Sequence, residues 1–84
     1  MKSEKDLELT IYFDIYGEFL TEKQSKIFDL YYNDDYSLAE IAQETNITRQ
    51  GVLDSLKRAK NKLLDMEKKL GLVQKQLSEE NNGI

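Results

Sequence analysis

Apolar residues recur at helical spacing along most of this chain, and short polar turns divide the pattern into segments. From Asp6 to Leu20 the apolar positions are Leu7, Ile11, Ile15, Tyr16, Phe19 and Leu20, with Tyr12 close by. Their intervals of three and four predict an amphipathic helix over 6–20. Gly17 falls inside it, where a close helix crossing is one reason for a glycine. The aromatics Tyr12, Phe13, Tyr16 and Phe19 read as core. Thr21-Glu22-Lys23-Gln24 forms a capping box, which opens a helix over 21–32 anchored by Ile27, Phe28, Leu30 and Tyr31. Asn33-Asp34-Asp35 is a turn signal. Two adjacent carboxylates suggest a metal or an acid/base pair, but the turn lacks the further oxygen ligands of a calcium loop, so it reads as a solvated turn.

Residues 37–60, SLAEIAQETNITRQGVLDSLKRAK, carry the clearest pattern. Ser37 with Glu40 three residues on makes a second capping box, and Tyr36 at the preceding position can staple onto Ile41. Leu38, Ile41 and Ala42 share the inner face of a helix over 37–44. Glu44-Thr45-Asn46 then breaks the pattern, with Asn46 suited to a left-handed turn. Ile47 points inward and Thr48 caps a second helix whose buried stripe is Val52, Leu56 and Ala59. Such a pair predicts a helix-turn-helix, the motif that lays its second helix in a major groove.

No stop signal ends that second helix. Leu56, Ala59, Leu63, Met66, Leu70, Val73 and Leu77 follow at alternating steps of three and four, three unbroken heptads. One helix over 48–77 is therefore expected, weakened but not broken at Gly71, with a frayed tail over 78–84. With Leu56, Leu63, Leu70 and Leu77 at the a positions, Lys62 and Glu67 form an attractive pair between parallel strands. The stripe zips against a second copy, making a homodimer, or folds back on helix 6–20, and the two are compatible if its lower half packs at home and its upper half on a partner. The fold expected is thus all-α: one small domain over 1–84, with a helix-turn-helix and a long C-terminal heptad helix.

Composition narrows the chemistry. Eighty-four residues without His or Cys remove disulfides, zinc fingers and the commonest general base. No glycine-rich phosphate loop occurs, and no apolar run is long enough to span a membrane. The expectation is a cytoplasmic protein without cofactor, and not an enzyme. The net charge of −4 is unevenly spread. Residues 1–36 balance at −5, residues 37–62 at +2 and residues 63–84 at −1. Only the helix-turn-helix is net basic, a slim footprint for nucleic acid.

Taken together, about residues 10–70 resemble the YlxM family of small bacterial helix-turn-helix proteins. LYYNDDYSLAEIA (Leu30 to Ala42) and ITRQGVLDSLKRA (Ile47 to Ala59) carry the resemblance. The stretch is similar, more loosely, to the DNA-binding region four of housekeeping sigma factors, where a Leu-x-x-Ile-Ala helix precedes a Ser/Thr-Arg-x-x-Val helix. The resemblance implies a winged-helix-like fold without the wing. It also implies a regulatory or DNA-binding protein linked to the signal recognition particle pathway, with that particle's GTPase or RNA as partner. Family members are typically longer, with a further charged helical segment, and usually carry Ala where this chain has Gly51.

Three functions follow as expectations: sequence-specific DNA binding, a protein- or RNA-partner module, and a dimerising helical adaptor. For DNA, Arg49 and Gln50 can reach base edges, Leu53 lies beside them, and Asp54 can accept from a cytosine amine or repel phosphate. Lys57, Arg58, Lys60, Lys62 and the Thr48 hydroxyl can meet phosphates. Against this, Arg49 can pair with Glu44 or Asp54, and Lys57 and Arg58 can simply solvate a helix face.

Overall fold

The computed structural model describes residues 4–75, and side chains from Leu7 onward. Four α-helices run in order: α1 Glu4–Tyr16, α2 Glu22–Tyr32, α3 Leu38–Thr45 and α4 Arg49–Leu70, with a 3-10 turn Gly17–Phe19 after α1. α4 packs against each of the other three. No strand occurs among the described residues, and none of their helices is long and apolar enough to cross a membrane.

Local signals set three of the helix starts. Thr21 Oγ1 accepts from Gln24 N at 3.1 Å while Gln24 Oε1 accepts from Thr21 N at 3.2 Å. Ser37 and Glu40 make the same reciprocal pair at 3.1 and 2.8 Å. The Ser37 amide, followed by its hydroxyl, holds the Glu40 carboxyl below the usual glutamate range. Tyr36 packs on the cluster that contains Ile41, as a staple requires. Between α2 and α3, Asp35 takes a left-handed φ of 58° and Tyr36 N donates back to Leu30 O at 3.0 Å. Asp34 and Asp35 thus belong to a solvent-exposed turn. Among the described residues no three His, Cys, Asp or Glu come together as a metal would need.

Two apolar clusters form the core. One joins Ile27, Ile41, Val52 and Leu56, the inner faces of α2, α3 and α4. The other joins Leu9, Tyr16, Leu20, Phe28, Ala59, Leu63 and Val73. Phe13 stacks on Phe28 with centroids 4.6 Å apart, and Phe28 meets Tyr32 at 4.4 Å. Each fully buried side chain of this size contributes about 1.5–3 kcal/mol.

α1 departs from the expected stripe. Leu9 is buried, whereas Leu7, Ile11 and Phe19 are exposed. Apolar and aromatic residues surround this helix almost completely, so its period does not select a face. The helix also ends at Tyr16 rather than Leu20. Gly17 serves no helix crossing: a Cβ there would stand 3.2 Å from the Phe13 ring. Its lack of a side chain leaves room for the ring that stacks on Phe28.

The heptad helix is the larger correction. α4 stops at Leu70, and Gly71 caps it in a left-handed conformation, φ 62°, donating to Glu67 O at 2.7 Å. Residues 72–75 are helical again, so the unbroken helix over 48–77 is not formed. Leu77 and the tail 78–84 lie outside the described residues. Leu56, Ala59, Leu63 and Val73 are buried within the chain, and Met66 is half-buried against the same cluster. Of the described heptad positions only Leu70, 51% exposed, faces solvent. Within the chain, Ala59, Leu63 and Val73 pack with Leu9 and Tyr16 of α1 and Phe28 of α2, while Leu56 packs with Ile27 and Ile41 of α2 and α3.

Nor does Glu67 reach outward to a Lys62. Its Oε1 accepts from the Tyr16 hydroxyl at 2.6 Å and from Val73 N at 3.1 Å, and its Oε2 accepts from Gln74 N at 3.1 Å. Leu72 N donates to the Tyr16 hydroxyl oxygen at 3.0 Å. One carboxylate and one buried phenol therefore supply partners for the amides of the turn that follows Gly71. Burial pushes the Glu67 carboxyl up, but these donors outweigh it and leave it below its ordinary value. Tyr16 moves the other way, raised first by burial and then by its bond to Glu67.

Candidate nucleic-acid interface

The turn between α3 and α4 fixes how α4 is presented. Asn46 is left-handed at φ 60°, ψ 38° and closes α3 through its amide to Ala42 O. Ile47 N reaches the same oxygen at 3.1 Å, and the Ile47 side chain packs into the core. Thr48 is extended, and its Oγ1 accepts from Gly51 N at 2.9 Å. With its oxygen used in the cap, the Thr48 hydroxyl still has its proton to donate. Gly51 is helical, and a Cβ there would meet that cap oxygen at 3.2 Å.

All seven residues singled out for nucleic acid are exposed: Thr48, Arg49, Gln50, Leu53, Asp54, Lys57 and Arg58. They do not form one set. At 3.6 residues per turn, Arg49, Gln50, Leu53 and Lys57 share a sector of roughly 100°, which Lys60 and Leu64 extend along the helix. Leu53 keeps 43% of its surface in solvent there. Asp54 and Arg58 sit on the adjoining flank and pair with each other at 3.0 Å. The only other ion pair among the described residues is Lys69–Asp65, at 3.1 Å. Both are exposed i,i+4 pairs, worth a few tenths of a kcal/mol.

Arg49 is paired with neither Glu44 nor Asp54: Arg58 holds Asp54, and Glu44 takes part in no ion pair among the described residues. Lys57 and Lys60 also stay outside the ion pairs of the described residues. The sector carries two long donors near the helix start, an apolar residue between them and cations further along. That combination suits base edges at one end and phosphates at the other. Beside the Asp54 flank, the start of α2 contributes Thr21 and Lys23 to a shared cleft. Sequence reasoning left these two out, since nothing local ties the start of α2 to α4.

Two helices joined by a left-handed polar turn, the second turning a polar face outward, define a small helix-turn-helix domain. The chain belongs to the UPF0122 family, described as "Putative helix-turn-helix protein, YlxM / p13 like", whose family model matches residues 3–82. It is 49% identical over 81 residues to a UPF0122 protein of Acetivibrio thermocellus, covering 96% of this chain and 69% of that one. It is 49% identical over 83 residues to a relative in Clostridium kluyveri, covering 96% and 75%. A relative in Caldanaerobacter subterraneus is 54% identical over 69 residues, 82% of this chain and 59% of its own. The chain thus spans about three-fifths to three-quarters of these relatives.

Proposed function

We propose that this protein is a regulatory DNA-binding protein that docks the Arg49–Lys57 face of α4 in the major groove. The observation that supports this best is the uncommitted state of that face. Arg49, Gln50, Leu53 and Lys57 are exposed together on the helix that the left-handed Asn46 turn presents, while the opposite stripe is buried. Arg49 and Gln50 offer bidentate contacts to guanine and adenine, and Leu53 offers apolar contact to a thymine methyl. Lys57 and Lys60 neutralise phosphates. The acidic remainder of the chain keeps non-specific binding weak, so discrimination comes from the base edges. A place in the signal recognition particle pathway, the reading that comes with the family resemblance, is put to the same experiment.

The experiment is selection of bound duplexes from a randomised pool, followed by anisotropy titration over a range of salt. An enriched site should emerge. Arg49→Ala should then lose discrimination at one base pair by about 1–3 kcal/mol, while Lys57→Ala weakens all duplexes alike and lowers the salt slope by about one. If no duplex is bound at low salt while signal-recognition RNA or its GTPase is, the DNA reading is wrong and the pathway reading stands.

A further inference from the structure

We propose that the cleft between the start of α2 and the flank of α4 is a phosphate site, gripping the DNA strand that runs beside α4. This rests on the docking of α4 proposed above. The cleft has a volume of about 250 Å³. Thr21 and Lys23 form one wall, and Arg58 and Asp54 the other. Ser55 of α4 also lines the cleft, only 8% exposed, and its hydroxyl oxygen has no hydrogen-bond partner. A buried hydroxyl without a partner is uncommon in a folded chain, and a phosphate oxygen is an acceptor it can serve.

Four further donors lie on the walls of the cleft or beside it. α2 is 11 residues long, and its capping box occupies the amides of Thr21 and Gln24. The amides of Glu22 and Lys23 are the first-turn donors that a helix leaves for an anion. The Lys23 ammonium and the Arg58 guanidinium bring charge from opposite walls. Asp54 holds Arg58 at 3.0 Å, with both side chains more than half exposed, so the pair is weak enough for a phosphate to displace the carboxylate. The placement fits a duplex. A major groove about 12 Å wide is nearly filled by a helix about 10–12 Å across, which sets the flank of α4 against a backbone strand.

The test measures Lys23→Gln, Ser55→Ala and Asp54→Asn for duplex affinity over a range of salt and for melting temperature. Lys23→Gln should weaken binding roughly ten-fold and lower the salt slope by about one. Ser55→Ala should weaken binding while melting at the parent temperature or above, because it removes an unpartnered hydroxyl. A purely structural Ser55 would leave affinity unchanged. Asp54→Asn should tighten binding by freeing Arg58. Parent-like affinity in Lys23→Gln and Ser55→Ala, with Lys57→Ala still weakened, overturns the site and leaves the docking of α4 intact. Failure of the parent to bind any duplex overturns both as DNA readings. A titration of the parent with inorganic phosphate, followed by amide NMR, then decides the site alone. Saturating shifts at Lys23 and Ser55 keep it as a site for free phosphate, and their absence removes it.

Discussion

Glu40 and Glu67 do the same job in two regions of the molecule, and they differ in what determines it. Each carboxylate accepts backbone N–H at the start of a helical turn, and each is held below its ordinary pKa, Glu40 by the Ser37 amide and hydroxyl and Glu67 by the Tyr16 hydroxyl and the amides of Val73 and Gln74. Glu40 bonds the amide of Ser37, three residues back, inside a box that any chain with this spacing can make. Glu67 bonds amides six and seven residues ahead and a hydroxyl 51 residues back. The helix-turn-helix is thus built from neighbours, while the α1–α4 packing and the Gly71 turn are built from residues that only the fold brings together.

The largest expected effect comes from striking the long-range region at its centre. Phe28, fully buried and stacked on Phe13, should cost about 3–5 kcal/mol on Phe28→Ala in urea titration. A loss under about 1 kcal/mol would mean that α1 contributes little to stability. Next comes the Glu67 cluster. Glu67→Gln should cost about 1–3 kcal/mol and speed amide exchange at Leu72–Gln74, leaving the Ser37 and Glu40 amides protected. Its pH dependence has a definite sign. The folded-state carboxyl titrates below the unfolded one, so its contribution is complete above the ordinary glutamate value of about 4.3. It is lost as pH falls through the lowered folded value. The variant should therefore show a shallower acid limb than the parent, and identical limbs would remove Glu67 from the account.

Ser37→Ala tests the local region. It should cost about 1 kcal/mol, a drop of several degrees in Tm, with unchanged protection at Leu72–Gln74. Gly51→Ala is the smallest. Helix propensity favours Ala by about 0.8–1 kcal/mol, but the new Cβ meets the cap oxygen of Thr48 at 3.2 Å. A gain of less than half the propensity value is expected by thermal melting, and the full value only in a Thr48→Gly background.

The same division explains what was legible in the sequence. Both capping boxes, the left-handed Asn46, the Thr48 cap and the inner stripe of Ile41, Val52, Leu56 and Ala59 stand as their spacing requires. The exposure of Arg49, Gln50, Leu53 and Lys57 follows from that stripe, since whatever lies opposite it faces out. The apolar heptad was visible, but its partner was not: a stripe on α4 fits a second copy or α1 equally well. Leu9 was hidden because Leu7 and Ile11 beside it are just as apolar. The stop at Gly71 was hidden because a glycine in a helical pattern becomes a cap only when something receives the turn beyond it. Here Tyr16 and Glu67 do so. The Lys23–Ser55 cleft was invisible for the same reason.

α4 has 22 residues, so it is a rod of about 33 Å. Its first turns carry the outward face and its last turn carries the Glu67 clasp. No joint lies between them, and the middle is clamped on three sides by α1, α2 and α3. The rod acts as a ruler. The turn at Leu72–Lys75 therefore sits at a set distance and bearing from whatever Arg49 and Lys57 touch.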